Sequence, residues 1–343
     1  MSAQAIRNAL HGALTLLSFT LLVVSLPCNE RAEAQAAPAP GYSLLWSDEF
    51  IGRELDRRKW CTRYAHGGGA ALQVNDPDCL GPNAYNGTGD FLQDELQRYR
   101  DYNAYGEPLH VIHDGYLSLR CTKSGQSQGA FYESAMIRSK LSVQPSTVES
   151  YFITTRIRLP DVRGSFPAFW LASGYGADGR ISWPPEIDVL EAPLNEGEDR
   201  SNMLRVGVQV QGAQTSTRKP ELTWRGPRFD RTWHNYIADR SLRGVWVDVA
   251  LEWSTRGVCT YIDGELAVCE NYRWVDNNGS TVNPANILFN LAVGGQWAGR
   301  YGIDDSKPMQ LDIDFVRVWR KRGVLGSPSP MRGSMLKSSD IKR

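Results

Sequence analysis

The segment Trp183-Pro184-Pro185-Glu186-Ile187-Asp188-Val189-Leu190-Glu191-Ala192-Pro193 places three carboxylates inside a short, otherwise apolar run. Ile187, Val189 and Leu190 favour β-structure, and prolines bound the run on both sides. The segment is therefore predicted to be a buried strand. Because charge on a buried strand is costly, the three acids need a specific reason to be there.

The spacing of the three acids predicts a β-bulge in this strand. Strict alternation places Glu186 and Asp188 on one face and sends Glu191 to the other. One extra residue near Val189 and Leu190 brings Glu191 back to the face of the other two, and bulges are common beside active sites. We therefore expect one row of three carboxylates along a groove.

Such a row suits a retaining glycosidase, in which two carboxyl groups about 5–5.5 Å apart act as nucleophile and as acid/base. The middle acid, Asp188, can hydrogen-bond Glu186 and help to keep Glu191 protonated through like-charge coupling. A structural acidic cluster and a calcium site are the alternatives that the spacing alone leaves open.

The context of the acids resembles glycoside hydrolase family 16, in the bulged form of its laminarinase-like members and bacterial endo-β-glucanases. Further motifs follow the family's order over nearly all of residues 43–320. They are LWSDEF at 45–50 with Leu55, Lys59 and Trp60, DELQRY at 94–99, DGYLSL at 114–119, SAMIRSK at 134–140, FPAFWL at 166–171, ILFNLAVGG at 287–295 with Trp297, and DFVRVW at 314–319. The number and order of these motifs make the resemblance specific.

The resemblance implies a role for each acid. Glu186 would be the nucleophile, Glu191 the general acid/base and Asp188 the assisting carboxylate. The matched motifs also imply a set of substrate-binding residues, which comprises Trp183, Trp170, Glu95, Arg138 and Asn290. The alternative for Trp170 is a place in the core, and the alternative for Arg138 is charge balance beside acids.

Three further residues, Glu49, Gly115 and Asp314, match positions that hold a structural calcium ion in many relatives. Hard oxygen ligands suit that ion. The alternative is that the two acids are ordinary surface residues. No cofactor is expected for catalysis.

One position departs from the laminarinase-like pattern, which places a histidine on the strand after the acids. Gln209 stands at about that place and is added to the substrate-binding residues. Its amide can hydrogen-bond a sugar hydroxyl or an acid but cannot carry charge. The change weakens the case for laminarin as the substrate, and Arg205 and Arg225 leave room for an acidic or substituted glycan.

The first 34 residues have the features of a secretory signal peptide. Arg7 precedes an apolar run at 13–26, and Ala32-Glu33-Ala34 supplies small residues for cleavage. The apolar run is shorter than the roughly twenty residues of a membrane span. Cys28 raises a lipid anchor as an alternative, although the residues before it lack the small side chains that such processing favours. We therefore expect a secreted or periplasmic protein.

Composition and length predict one large catalytic domain. The formal net charge is zero and stays zero after residues 1–34 are removed, because they carry two arginines and two glutamates. This balance argues against nucleic acid or anionic lipid as a partner. Residues 35–42 are predicted to be a linker, 43–321 the catalytic domain and 322–343 a disordered tail. We expect a polysaccharide partner, no membrane span and a monomer.

Five cysteines remain after cleavage, in a compartment that permits disulfides. Cys61 and Cys79 bracket a polar stretch, where a bridge would tether the long insertion at 62–93. Cys259 and Cys269 flank a hairpin signal and would face each other across a three-residue, bulged loop, whereas a two-residue loop would set Cys259 opposite residue 268. The proposed bridge favours the longer loop. Cys121 is left as a buried thiol.

Short strand patterns alternate with turns from residue 108 onward, and long helical periodicity is absent. Besides the acidic strand and the cysteine hairpin, the predicted strands are 115–119, 136–141, 151–159, 168–171, 204–210, 245–253, 287–293 and 312–319. They indicate an all-β chain of two packed antiparallel sheets. The family resemblance sharpens this to a concanavalin-like jelly-roll β-sandwich with a cleft across its concave face.

The sequence thus predicts a retaining endo-glycosidase that hydrolyses internal bonds of a β-1,3- or mixed-linkage β-glucan or a related polysaccharide by double displacement. The alternatives are a transglycosylase on the same glycans and a carbohydrate-binding, lectin-like sandwich without turnover. The presence of all three acids weighs against the lectin, which needs no protonated carboxylate opposite a nucleophile.

Overall fold

The structure is a computed structural model that describes residues 36–64, 79, 94–125, 132–174, 182–197, 201–209, 222–225, 235–276 and 278–323. The chain divides into two compact units, Met1–Ala36 and Ala37–Arg343, and all the described strands lie in the second. The predicted signal peptide and the predicted tail beyond residue 323 lie outside the described residues, as does most of the insertion at 62–93.

The described residues form eighteen strands and one short helix. In chain order they are β1 Tyr42–Asp48, β2 Trp60–Cys61, β3 Gln97–Tyr99, β4 His110–His113, β5 Tyr116–Lys123, β6 Tyr132–Ser134, β7 Met136–Val143, β8 Glu149–Arg158, β9 Ser165–Ser173, β10 Glu186–Glu191, β11 Met203–Gln209, β12 Leu222–Arg225, β13 Asn235–Ile237, β14 Trp246–Ser254, β15 Gly257–Ile262, β16 Glu265–Glu270, β17 Ala285–Val293, α1 Gly295–Ala298 and β18 Met309–Arg322.

The described strands assemble into two sheets. The larger has eleven strands in the order β12-β16-β15-β14-β8-β18-β5-β6-β3, with β1 paired to β18 and β4 to β5. The smaller has seven strands in the order β13-β11-β10-β9-β17-β7-β2, so the acidic strand β10 lies between β9 and β11. All pairings are antiparallel except that of β3 with β6. The predicted all-β, two-sheet architecture is confirmed.

Each strand predicted from the sequence overlaps an observed strand. The observed strands that no pattern predicted, β2, β3, β4, β6, β12 and β13, have only two to four residues. Runs of that length are too short to show a periodicity. Within the described ranges no helix is long and apolar enough to cross a membrane.

The hydrophobic core lies between the two sheets. Leu190 of the smaller sheet belongs to one buried apolar cluster with Leu117 and Ile153 of the larger. Phe169 on β9 and Phe289 on β17 stack face to face, with 4.5 Å between ring centroids and 9° between ring planes. Each such side chain contributes about 1.5–3 kcal/mol when fully buried, so this layer fixes the smaller sheet against the larger.

The other face of the smaller sheet is called the acid face below, because it carries Glu186, Asp188 and Glu191. Alternation along the strands decides which side chains share this face. On β11, for example, Leu204 and Val206 are buried, which leaves Arg205 and Gly207 on the acid face.

Both predicted disulfides are present. Cys61 is bonded to Cys79 and Cys259 to Cys269. Cys121 is a buried free thiol, as predicted, and burial raises its pKa to about 12. The first bridge ties β2, at the edge of the smaller sheet, to Cys79 within the insertion.

The prediction of a three-residue loop in the second cysteine hairpin is wrong. Asp263 and Gly264 alone form the loop, with φ of 50° and 79°, as two-residue hairpin turns favour. A register shift further along β16 leaves Ala267 as the extra residue, so that Cys259 still faces Cys269. The bulge within β16 therefore places Cys259 opposite Cys269, which the longer loop was expected to do.

Replacing both Cys259 and Cys269 by alanine is expected to lower the free energy of unfolding by about 3 kcal/mol, because the bridge closes a short loop in the unfolded chain. Urea denaturation under non-reducing conditions measures this loss. Cys121→Ala is the matched control, since it removes a buried thiol without opening a loop, and it is expected to cost less. An equal loss in both variants would contradict the role given to the bridge.

Candidate active site

The acidic strand carries the predicted bulge. From Asp188 to Glu191 β10 advances three residues, while its partners move by two, from Trp170 to Ala168 on β9 and from Gly207 to Arg205 on β11. The extra residue lies at 189–190, where both side chains are fully buried. The bulge therefore lets the apolar residues of the strand enter the core while all three acids stay on the acid face.

Glu186 sits in a crowded polar environment. The indole Nε1 of Trp183 donates a hydrogen bond to its Oε2 at 2.9 Å, and its carboxyl group is hydrogen-bonded to that of Asp188. Burial and the nearby charge of Asp188 raise the pKa of Glu186 well above its usual range, and the charge of Glu191 adds to this, whereas the Trp183 hydrogen bond opposes it. Two acids that share a hydrogen bond hold one proton between them.

Trp183 is exposed over 48% of its surface. Its ring edge is held by Glu186 while its face stays open to solvent. An open aromatic face beside a carboxylate complements the C–H face of a sugar.

Tyr272 fixes the backbone of Glu186, a contact that no sequence pattern predicts. The Glu186 N–H donates to the Tyr272 hydroxyl at 3.0 Å, and that hydroxyl donates to the Glu186 carbonyl oxygen at 3.1 Å. The tyrosine follows β16 of the larger sheet and is 2% exposed. The N–H and C=O of a strand residue point to the same side. The single hydroxyl of Tyr272 can therefore bond both groups, as a neighbouring strand would.

A buried polar and aromatic layer lies beside the acids on the acid face. The Trp170 indole donates to Asn290 Oδ1 at 2.8 Å, and Asn290 Nδ2 donates to the Tyr99 hydroxyl at 3.0 Å. Tyr64 packs against both Tyr99 and Trp170, with ring centroids 5.3 and 5.7 Å apart. Trp170 is only 5% exposed, so it supports the floor of the site from beneath.

Glu95 belongs to the same layer. It accepts a hydrogen bond from Gln97 Nε2 at 2.6 Å. Burial raises the pKa values of Tyr64 and Tyr99 well above the usual range, and the charge of Glu95 raises both further. The charge of Glu186 also acts on Tyr64. Tyr64, which the sequence did not single out, therefore lies within electrostatic range of both glutamates.

Arg138 is on the acid face but three strands from the acids. Its Cα lies in one row with those of Asp188, Trp170 and Leu288, and three strand spacings amount to about 14 Å. Its guanidinium donates, at 3.3 Å each, to the carbonyl oxygens of residues 63 and 79 and to Asn286 Oδ1. These contacts favour a bracing role at the Cys61–Cys79 bridge.

Gln209 is the Cα partner of Glu186 across β10 and β11, so its backbone is where the resemblance places it. Its side chain lies outside the described residues. Arg205 is likewise the Cα partner of Glu191. Arg225, by contrast, belongs to β12 of the larger sheet.

The residues expected to hold calcium have other partners. Both oxygens of Glu49 accept hydrogen bonds from Arg317, at 3.0 and 2.7 Å, and Asp314 lies 3.7 Å from the Arg156 guanidinium. Gly115 has φ of 78° in the tight turn between β4 and β5, which accounts for a glycine there. The described residues contain no cluster of three or more His, Cys, Asp or Glu side chains able to hold an ion. As arranged, the expected set does not fit calcium, because arginines already neutralise its acids.

Comparison with known proteins relates this geometry to named enzymes. No family model matches the chain. It is 28% identical to a beta-glucanase from Rhodothermus marinus over 319 residues, 88% of this chain and 93% of that protein. It is also 28% identical to glucan endo-1,3-beta-glucosidase A1 from Niallia circulans, over 82% of this chain but only 38% of that protein. The chain therefore spans well under half of the latter relative.

The fold is shared with solved glucanases. The laminarinase from Rhodothermus marinus gives a TM-score of 0.56 at 23% identity, over 82% of this chain and 98% of that one. SCLam, a non-specific endo-beta-1,3(4)-glucanase from family GH16, gives 0.56 at 20% identity, over 84% of this chain and 94% of that one. The resemblance to glycoside hydrolase family 16 is confirmed. The two sheets therefore form a jelly-roll sandwich, the fold of these solved glucanases.

Replacing Tyr272 by phenylalanine removes only the hydroxyl group, which is hydrogen-bonded to the backbone of Glu186. We expect amide hydrogen exchange in the peptide covering β10 to rise about tenfold or more, with a loss of about 1–3 kcal/mol in stability from two unpaired buried backbone groups. Tyr236→Phe, which removes the hydroxyl of another buried tyrosine, on β13 of the smaller sheet, is the control. It should lower stability without raising exchange at Glu186.

Replacing Glu186 by glutamine is expected to stabilise the fold increasingly as pH rises. Because the pKa of Glu186 is raised in the folded state, the unfolded chain releases this proton first, and the folded state loses stability above the ordinary value of 4.5. Glu186→Gln removes that loss, and each 1 kcal/mol moves Tm by about 2–4 °C. Thermal denaturation between pH 4 and 8 tests this.

Asp305→Asn provides a control of opposite sign. A hydrogen bond from Lys123 and another from Tyr132 lower the pKa of Asp305, so its removal should lower Tm at neutral pH and matter less as pH falls through the acidic range. A gain from Glu186→Gln that is largest at pH 4 would contradict the environment described for Glu186.

Proposed function

We propose that this protein is a retaining endo-β-glucanase. The observation that carries the proposal is the bulge-made row of Glu186, Asp188 and Glu191 on one face of a sheet, with Trp183 open to solvent and bonded to the first acid. Similar proteins are named glucan endo-1,3-beta-glucosidase A1, beta-glucanase and endo-1,3-1,4-beta-glycanase EglC. They support a β-glucan as the substrate.

The first chemical step forms a bond between the enzyme and the sugar. A carboxylate oxygen of Glu186 attacks the anomeric carbon, and the electron pair of the glycosidic bond leaves on the oxygen of the departing chain. Glu191 gives its proton to that oxygen as the bond breaks. The product is a glycosyl ester on Glu186, with inverted configuration at the anomeric carbon.

The second step releases the sugar. The carboxylate of Glu191 takes a proton from water, whose oxygen attacks the same carbon. The electron pair of the ester bond returns to Glu186. Two inversions give net retention, and both acids regain their starting protonation states.

Asp188 allows Glu186 to be ionised despite its raised pKa, because Asp188 can carry the proton that the two acids share. The attack needs Glu186 ionised, although burial and neighbouring charge raise its pKa. In the reactive form the proton shared by the pair resides on Asp188, which donates it to Glu186 in a hydrogen bond. The Trp183 N–H favours the same form, because it stabilises the carboxylate.

The remaining expected residues contribute to binding in different ways. Trp183 stacks on the sugar next to the nucleophile, and Glu95 supplies a carboxylate to sugar hydroxyls. Trp170 and Asn290 hold the floor, and Arg138 holds the bridged loop at the far side. Gln209 occupies the strand position opposite Glu186, and its amide would bind a sugar hydroxyl. No step is assigned to a metal ion.

The two disulfides and the sequence features of residues 1–34 support action outside the cytoplasm, as a secreted or periplasmic protein. The expected monomer stays a prediction from the sequence. Transglycosylation, in which a sugar hydroxyl replaces water in the second step, uses the same residues. Product analysis at high oligosaccharide concentration separates the two outcomes.

Incubation with laminarin, lichenan, carrageenan and agarose tests the proposal. The wild-type protein is expected to release reducing ends with a rapid fall in polymer length, and Glu186→Gln is expected to lose at least about 10³-fold in rate, because the nucleophile is gone. Glu149→Gln, an acid on the larger sheet, is the matched control and should cut normally. Binding without cleavage of any glycan by wild type would favour the lectin-like alternative.

A further inference from the structure

An open hollow lies beside the short helix α1, just past the end of β17, and is called the α1 hollow below. Its volume is about 800 Å³, and its lining consists of Asp94, Leu96, Gly295, Gln296, Gly299 and Arg300. This volume lies within the range of about 300–1,000 Å³ that is usual for ligand sites. None of the catalytic steps proposed above uses it.

The segment that begins at Asp94 borders both the α1 hollow and the polar layer beside the acids. Its Leu96 N–H donates to the Val293 carbonyl oxygen at 2.8 Å, and its Gln97 Oε1 accepts the Val293 N–H at 2.7 Å, so the segment is fixed to the end of β17. Asp94 and Leu96 line the hollow, whereas Glu95, which lies between them, accepts the hydrogen bond from Gln97 in the polar layer. A glycan that leaves the acid face past Glu95 can therefore continue into the hollow.

The floor of the α1 hollow is made of glycines that tolerate no side chain. A Cβ atom at Gly295 would lie 2.7 Å from Asp94 Oδ1, and one at Gly299 would lie 2.7 Å from the Gly295 carbonyl oxygen. Gly295 also has φ of 70°, a conformation that glycine adopts without strain. Asp94 Oδ2 accepts the Gln296 N–H at 2.8 Å, which ties the wall of the hollow to its floor. The hollow is therefore formed before a ligand arrives.

Two polar side chains of the lining are available to a ligand. Asp94 and Gln296 are both exposed. Within the described part of the chain, Asp94 makes no hydrogen bond or ion pair beyond that to the Gln296 N–H, and the side-chain amide of Gln296 makes none. A carboxylate oxygen accepts hydrogen bonds from hydroxyls, and an amide both donates and accepts them. Leu96 adds apolar surface for C–H groups.

The formal charges in the lining cancel, because Asp94 is its one acid and Arg300 its one base. A lining without net charge favours a neutral ligand over an ion. A glucose unit of a β-glucan is neutral and presents several hydroxyls beside C–H groups. The chemistry of the α1 hollow therefore matches the substrate class that the acid row supports.

The α1 hollow is displaced from the acids in two directions. Glu191, Ala168 and Asn290 lie in one row across three strands, so β17 is two strand spacings, about 10 Å, from β10. From Asn290 the strand continues to Val293 over about 10 Å more before α1 begins. This offset is longer than one sugar, so a sugar in the hollow would not be next to the bond that is cut.

We propose that the α1 hollow is a sugar-binding subsite, in which Asp94 and Gln296 bind the hydroxyls of a glucose unit that lies more than one sugar away from the cut bond. The subsite makes the enzyme prefer glucan chains long enough to fill both the acid face and the hollow. This inference rests on the proposed function and extends its binding site.

The dependence of kcat/KM on chain length tests the subsite. Wild type, Gln296→Ala and Asp94→Asn are compared on β-1,3-linked gluco-oligosaccharides from the trisaccharide to the octasaccharide. Both variants should lose about fivefold or more of kcat/KM on the octasaccharide, through a higher KM, because a hydrogen bond to the sugar is lost. The trisaccharide, which is too short to reach the hollow, should be cut as in wild type. Asp94→Asn keeps an oxygen for the Gln296 N–H, so Tm should stay that of wild type.

Binding without turnover gives a second readout. In the Glu186→Gln background, adding Gln296→Ala should raise the calorimetric Kd for the octasaccharide about fivefold or more and leave that for the trisaccharide unchanged. Glu54→Gln, which removes an exposed acid between β1 and β2, is the matched control for Asp94→Asn and should change neither the length dependence nor the affinity.

The same length dependence in wild type and both variants would overturn the inference, while cleavage of the oligosaccharides by wild type still upheld the proposed function. Equal losses on the trisaccharide and the octasaccharide would also overturn it, because they would show an effect on the acids rather than on a distant subsite. Failure of wild type to cut any oligosaccharide would count against the proposed function itself.

Discussion

The bulge in β10 is the constraint on which the rest of the structure depends. A regular strand would turn Glu191 into a core that contains Leu190, Phe169 and Phe289, and an unpaired charge in such a place is not tolerated. The extra residue resolves the conflict between a fully apolar inner face and three acids on the outer one. Core packing and the acid row are therefore two results of one backbone feature.

The acids make the site less stable than a neutral face would be, and the surroundings offset this cost. Tyr272 closes the backbone of Glu186 from the other sheet, and the layer of Trp170, Asn290 and Tyr99 fixes the floor by side-chain hydrogen bonds. Such rigid support holds charged groups at fixed positions before substrate arrives. Strain and desolvation at a site, compensated by packing elsewhere, are the usual trade between stability and activity.

The sequence predicted those features that depend on residues close together in the chain. Alternation predicted the bulge at residues 189–190, and cysteine spacing with hairpin signals predicted both bridges. Such rules do not predict contacts between residues far apart in the sequence. No pattern predicts that the Tyr272 hydroxyl bonds the backbone of Glu186, or that Arg317 donates to both carboxylate oxygens of Glu49. The hairpin loop was mispredicted because a bulge can lie in either the turn or the strand, and only the packed register at Ala267 decides between them.

The most direct test of the account is to trap the glycosyl ester and identify the residue that carries it. The reagent is a laminaribiosyl fluoride with a second fluorine at C2 of the reacting sugar. The C2 fluorine slows both formation and hydrolysis of the ester, and the anomeric fluoride is a good leaving group, so the ester forms faster than it is hydrolysed and accumulates. Intact mass should rise by one fluorinated laminaribiosyl group, and peptide mapping should place it on Glu186, with no label in Glu186→Gln. Label on Glu191 or Asp188 would contradict the assignment, and steady turnover to an inverted product without any ester would contradict the retaining mechanism.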